Sequence, residues 1–200
     1  MSRANRTRRS RVVAPVITIT LCLIPVIYAA PPPNASIIEG VSMGKVRLMM
    51  KKNAVVAAFG TPAWCFNPSS KDDQECDWLA PPDTKIKGLP EPLHTIGAVQ
   101  VRFWKGKVYE IHLMAPLRDR LEYRNVPFLS GWKTTKGIGL GSSATSVRAA
   151  YGHALTQQNY PAGVRLKLIS KRSGRRLETW FEIGPSASSV WEIIILTPGT

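Results

Sequence analysis

Two blocks of the chain repeat in the same order without gaps, and this constrains the fold more than any other feature. Residues 45–60 (KVRLMMKKNAVVAAFG) align on 137–152 (GIGLGSSATSVRAAYG). Val46 falls on Ile138, Leu48 on Leu140, Val55 on Val147, Phe59 on Tyr151 and Gly60 on Gly152. Residues 108–116 (VYEIHLMAP) align on 190–198 (VWEIIILTP). One short apolar match arises easily by chance, but two in the same order point to a tandem duplication. A unit of roughly 60–70 residues buries only a marginal core on its own, so the two units are expected to share a sheet or pack together.

Each unit opens with a short apolar run that turns into a helix. In the second unit Ser142 or Ser143 can cap the helix by accepting a hydrogen bond from an unpaired N–H of its first turn. Val147, Ala150 and Tyr151 make one apolar stripe. Gly60 and Gly152 follow the last helical residue, where a helix commonly stops in a left-handed conformation. Strands follow. Trp64–Phe66 and Cys76–Leu79 flank the polar stretch NPSSKDDQE as a hairpin. Val99–Trp104, the turn Lys105-Gly106 and Lys107–Met114 form another. The second unit offers Val164–Ile169, a turn at Ser173-Gly174, Leu177–Ile183 and Val190–Leu196. The fold class is therefore α+β. Two tandem repeats, each a short helical segment followed by an antiparallel sheet, share one larger sheet with helices on one face.

The first thirty residues read as an address. Arg3, Arg6, Arg8, Arg9 and Arg11 precede Val12–Ala30, a segment with no charge. A basic stretch before an apolar one has the form of a secretory signal. An uncleaved anchor is the alternative, since nineteen residues approach the roughly 20 that span a bilayer. Pro15 and Pro25 favour the cleaved form. The division is then 1–30 signal or anchor, 31–44 leader, 45–116 first unit, 117–135 linker and 136–200 second unit. The chain carries 27 Lys+Arg against 13 Asp+Glu, for a net charge of +14. Removing the five leading arginines leaves +9, so much of the excess belongs to targeting. Export and the lack of a nucleic-acid motif argue against nucleic acid as partner. Outside the apolar segment, which holds Cys22, the remaining cysteines are Cys65 and Cys76, an even number in an oxidising compartment. They read as a disulfide.

The run Thr134–Gly152 (TTKGIGLGSSATSVRAAYG) resembles the helical signature of the small α/β domain shared by secreted β-lactamase-inhibitory proteins and BamE/SmpA-type outer-membrane lipoproteins. That resemblance implies an eight-stranded sheet built from a tandem repeat, with helices on one side and a Cys pair soon after the first helix. Met49 stands where the family step has glycine, and the second unit has no Cys pair. The inhibitory branch implies binding to a secreted hydrolase.

Strand side chains alternate between faces. Val99, Val101, Phe103, Tyr109, Ile111, Leu113, Val164, Leu166, Leu168, Phe181, Ile183, Trp191, Ile193 and Ile195 are expected on the helices. The outer face then collects Gln100, Arg102, Trp104, Glu110, His112, Arg165, Lys167, Trp180, Glu182, Glu192 and Ile194. Aromatics mixed with both charges suit a protein interface. The expected function is an exported, non-enzymatic binding protein of the cell envelope or medium, with Trp104 and Trp180 as anchors. Inhibition of a secreted hydrolase is its sharper form. Alternatives are a small envelope hydrolase using Glu110, His112 or Glu192, and an anchored structural module. The cluster Lys171, Arg172, Arg175 and Arg176 could hold anionic envelope polymer or lipid headgroups, or be a solvated hairpin tip. His94, His112 and His153 lack ligand spacing, so no metal is expected. No P-loop, GxGxxG or GxSxG motif is present, so no cofactor is expected either.

Overall fold

A computed structural model describes residues 34–79, 97–115, 131–161, 163–184 and 188–199. The arginine-rich start, the apolar segment, His94 and most of the linker lie outside them. No helix among the described residues is long and apolar enough to cross a membrane.

The strands are β1 (Asn34–Ile38), β2 (Ser42–Met43), β3 (Val46–Arg47), β4 (Trp64–Phe66), β5 (Asp73–Leu79), β6 (Gly97–Trp104), β7 (Lys107–Met114), β8 (Gly131–Thr134), β9 (Leu155–Tyr160), β10 (Gly163–Arg172), β11 (Arg175–Ile183) and β12 (Val190–Leu196). The helices are α1 (Lys52–Phe59) and α2 (Ala144–Tyr151), with a 3-10 turn at Gly152–Ala154. The fold is a small, mostly β, α+β architecture. Eight strands form one antiparallel sheet in the order β4-β5-β6-β7-β12-β11-β10-β9, and four form a smaller sheet in the order β3-β2-β1-β8.

The large sheet is two four-stranded meanders joined along their last strands. Across the seam His112 pairs with Ile194, Leu113 with Ile193 and Ile111 with Ile195. His112 and Ile194 are the residues that the sequence alignment superposes, so the seam register is symmetric about that pair. α1 and α2 also occupy aligned residues. Met49 N donates to Val108 O, and Val108 N to Met50 O; in the other half Gly141 N donates to Val190 O, and Val190 N to Ser142 O. Lys51 bridges to Lys107 as Ser143 bridges to Ser189.

One continuous core lies between the large sheet, the two helices and the small sheet. Phe59 of α1 sits edge-on to Trp78 at 5.8 Å and to Trp132 at 6.0 Å. Tyr151 of α2 stacks on Phe181 at 5.4 Å. Such aromatic pairs add to the stabilisation from burial alone. Ser143 caps α2, its hydroxyl accepting from Ser146 N at 3.0 Å. Ser142 instead accepts from Gly139 N.

Several elements depart from the sequence reading. The stretches read as leader and linker carry β1, β2 and β8, and β1 pairs parallel to β8. Their side chains Ile37, Met43 and Trp132 are fully buried. β9 falls where the sequence reading names no strand; its sequence LTQQNY has little apolar alternation, and most of it is exposed. Tyr109 was expected on the helices. A β-bulge between Arg102 and Phe103 leaves Tyr109 unpaired, so Phe103 faces Val108 while Arg102 faces Glu110. Val108 takes the core position, and the Tyr109 hydroxyl reaches Asp73. Trp191 occupies the equivalent bulge, where Ile183 pairs with Val190 and Glu182 with Glu192. It is half-buried rather than in the core, and Val190 is fully buried.

Candidate functional site

Away from the helices, the large sheet presents one cross-strand row. It runs Trp64, Asp77, Gln100, His112, Ile194, Trp180, Lys167, Thr156. Strand alternation puts these side chains on one face, and the expected outer-face residues lie on it.

Its centre is a closed polar network. His112 has Nδ1 2.7 Å from Glu192 Oε1 and Nε2 2.7 Å from Glu110 Oε1. Its side chain is only 12% exposed. Burial opposes protonation, but hydrogen bonds and charge from the two carboxylates outweigh it and push the imidazole up to about 9. Burial raises Glu110, whereas the His112 hydrogen bond and charge outweigh that and hold its carboxyl below the usual range. His112 is therefore a cation at neutral pH, with both ring nitrogens engaged. It also ties the halves together, since Glu110 belongs to one and Glu192 to the other.

Arg102 serves three acids of the first half. It lies 3.0 Å from Asp73, 3.4 Å from Glu75 and 3.4 Å from Glu110. Its guanidinium stands over the Tyr109 ring. Burial pushes Asp73 up, yet hydrogen bonds from Ser69 and Tyr109 and the Arg102 charge leave its carboxyl below the ordinary range. In the second half, Arg165 and Tyr160 both bond to the buried Glu182. Arg165 lies 3.9 Å above the Trp180 ring and Lys167 4.8 Å from it. The Trp180 N–H donates to Glu178 at 2.6 Å, and Arg176 pairs with Glu178. Trp180 is thus half-buried, with its ring and its N–H both engaged.

On the same face, the first half carries exposed aromatics. Trp64 is 41% exposed, Phe66 45% and Trp104 37%. Trp64 pairs with Asp77 and Phe66 with Glu75 on the adjoining strand. Gln100 Nε2 donates to both carboxylates, at 2.6 Å to Glu75 and 3.1 Å to Asp77. Burial first, then mutual repulsion, raises the Glu75 carboxyl. Burial also raises Asp77, against hydrogen bonds from Gln100 and Trp64. The sequence reading missed Trp64 and Phe66. Their signal is the cysteine between them: Cys65 pairs directly with Cys76 and the two form a disulfide. Cys76 is fully buried on the core side, so both neighbours of Cys65 must point outward.

The structure brings Arg102, Glu110, His112 and Glu192 into one network and Arg165, Lys167, Trp180 and Glu182 into a second. Trp104 stands apart at the sheet end, opposite Asp73. Lys171, Arg172, Arg175 and Arg176 lie at the β10–β11 hairpin tip. Among the described residues, no group of three or more His, Cys, Asp or Glu side chains is arranged to hold a metal ion.

No family model matches the sequence, and no curated protein does. Among solved structures, the chain is similar to a cysteine-rich secretory protein of Staphylococcus aureus subsp. aureus Mu50, at 8% identity and a TM-score of 0.39, over 76% of this chain and 43% of that one. The chain thus spans less than half the length of that neighbour. It is similar to a DUF4309 family protein of Bacillus subtilis at 13% identity and a TM-score of 0.36, over 74% and 78% of the two chains. It is also similar to a candidate β-lactamase inhibitor protein of Streptococcus mutans at 12% identity and a TM-score of 0.23, over 79% and 85%.

Proposed function

We propose that the chain is a duplicated, exported, non-enzymatic binding protein of the cell envelope or medium. It takes a protein partner on the open face of its large sheet, over β4, β5 and β6. The observation that carries this reading is the set Trp64, Phe66 and Trp104, three large aromatics each more than a third exposed on one sheet face. Large aromatics are the residues that most often dominate interface energetics. The duplication rests on the two matched bulges, helices and bridging hydrogen bonds. Export rests on the Arg-rich start and apolar segment of the sequence and on the disulfide.

Glu110, His112 and Glu192 are read as a structural clamp. A general base needs a free nitrogen within reach of a substrate proton, and both His112 nitrogens are engaged by carboxylates.

The test is capture from envelope and culture-medium fractions with wild type, Trp64→Ser/Trp104→Ser and the control Ile169→Ser, an exposed residue of the other half. One protein recovered by wild type and control, and at least about tenfold less by the double variant, is expected for an aromatic hot spot. Equal recovery by all three overturns the sheet-face reading. A catalytic activity abolished by Glu110→Gln, with the fold intact, overturns the non-enzymatic one. Inhibition of the captured partner, if it is a hydrolase, would establish the inhibitory form.

A further inference from the structure

A second site lies at the end of the large sheet that carries the β6–β7 and β10–β11 turns. A cavity of about 420 Å³ opens between the β1–β2 turn, the chain after β3 and the β10–β11 hairpin tip. Arg47, Arg172 and Arg175 line it, over walls supplied by Val41, Leu48 and Leu177. Among the described residues, none of the three arginines is within salt-bridge distance of a carboxylate, in contrast to Arg102, Arg165 and Arg176. Arg172 and Arg175 are also direct cross-strand partners. Like charges placed opposite one another are destabilising, and an anion held between them would remove that cost.

The surroundings say what kind of anion. Met49, another lining residue, is exposed. Its N–H bonds to Val108 O, which brings the β6–β7 turn alongside. Lys51, Lys105 and Lys107 are therefore at this same end, with Asp72 an acid beside Lys105. A forked guanidinium matches a phosphate by paired hydrogen bonds. Cations gathered at one end of a molecule favour an anionic lipid surface. We propose that this pocket holds the phosphate headgroup of an anionic glycerophospholipid, with the lysines resting on neighbouring headgroups. This end of the sheet would then face the membrane.

The test is sedimentation with phosphatidylcholine vesicles, with and without about a third phosphatidylglycerol. The expected result is binding to the anionic vesicles alone. Arg47→Lys/Arg172→Lys/Arg175→Lys keeps every charge but removes the forks, and is expected to weaken that binding about tenfold. Circular dichroism verifies that the variant is folded. Equal binding of wild type and the triple variant would show that charge alone suffices and would overturn the pocket. Absence of vesicle binding would overturn it too. Calorimetry with glycerol 3-phosphate separates the source: binding of that soluble ester by a protein that ignores both vesicles assigns the site to a free phosphate ester and refutes the lipid.

Discussion

Stability should fall as pH rises through the neutral range, and His112 should be the cause. Its imidazole titrates near 6.5 in an unfolded chain and at about 9 in the fold, between Glu110 and Glu192. Between those values the folded protein holds a proton that the unfolded one has released. Each rise in pH across this window therefore favours unfolding. The stabilisation is fully present below about pH 6.5 and gone above about pH 9. A gap of about 2.5 units corresponds to about 3 kcal/mol, and the slope is steepest mid-window. That is a large share of the 5–15 kcal/mol typical of a domain. The assay is urea unfolding followed by tryptophan fluorescence near pH 6, 7.5 and 9.5 at fixed salt, on wild type and His112→Gln. The glutamine cannot take a charge, so the variant should lose this fall in stability and be less stable than wild type at the acid end. A difference between the two proteins that stays constant with pH would refute an imidazolium clamp, because no other group is removed by the comparison.

Two further perturbations follow from the backbone and the crosslink. Met49 sits at φ 68° where its counterpart Gly141 sits at φ 78°. The left-handed region costs a side-chain-bearing residue about 1–2 kcal/mol, and the extra freedom of glycine in the unfolded chain cancels about half. Met49→Gly should therefore raise the melting temperature by about 2 °C, and an unchanged or lower value would contradict the strain. Cys65→Ser/Cys76→Ser opens a loop of about a dozen residues and should cost about 3 kcal/mol, read as a lower urea midpoint. If the aromatic site is as proposed, it should also weaken partner capture, because β4 has only three residues to hold Trp64 and Phe66 in place.

Alternation and turn chemistry carried much of the fold in the sequence. β4, β7 and β12 occupy the expected residues, and both hairpins turn at Lys105-Gly106 and Ser173-Gly174. The misplacement of Tyr109 had a readable signal. A two-residue turn at 105–106 would pair Arg102 with Tyr109, whereas the apolar alternation requires Val101 to face Ile111. Only an extra residue on β7 reconciles the two, and the structure places that residue at Tyr109. The β1–β8 pairing had no comparable signal. It is parallel and joins residues nearly a hundred positions apart, so neither a turn nor a local period announces it. β9 was hidden because its side chains are mostly in water and the period of apolar burial is therefore missing. At the site, composition located the outer face but not its occupancy. Residue type and alternation single out Trp180 as an anchor, whereas the stack of Arg165 and Lys167 on its ring depends on strand register.

Under the proposed duplication, function should reside where the copies differ. The seam, helices and bulges correspond, whereas the outermost strands do not. β4 is a three-residue WCF held by a disulfide, and β9 is a six-residue LTQQNY with no crosslink. An edge strand carrying exposed aromatics is ordinarily an aggregation hazard. Here the edge is very short, so little unpaired backbone is offered to another strand, while Trp64 and Phe66 project from the face instead. That arrangement suits recognition through side chains on the sheet surface and disfavours capture by strand addition. The equivalent surface of the second copy is filled by polar side chains and by its own Arg–Trp–Lys stack, so a partner bound by the aromatics should engage one copy at a stoichiometry of one per chain. Two partners per chain, measured by light scattering of the purified complex, would place recognition on features the copies share and would rule out the β4 edge as its source.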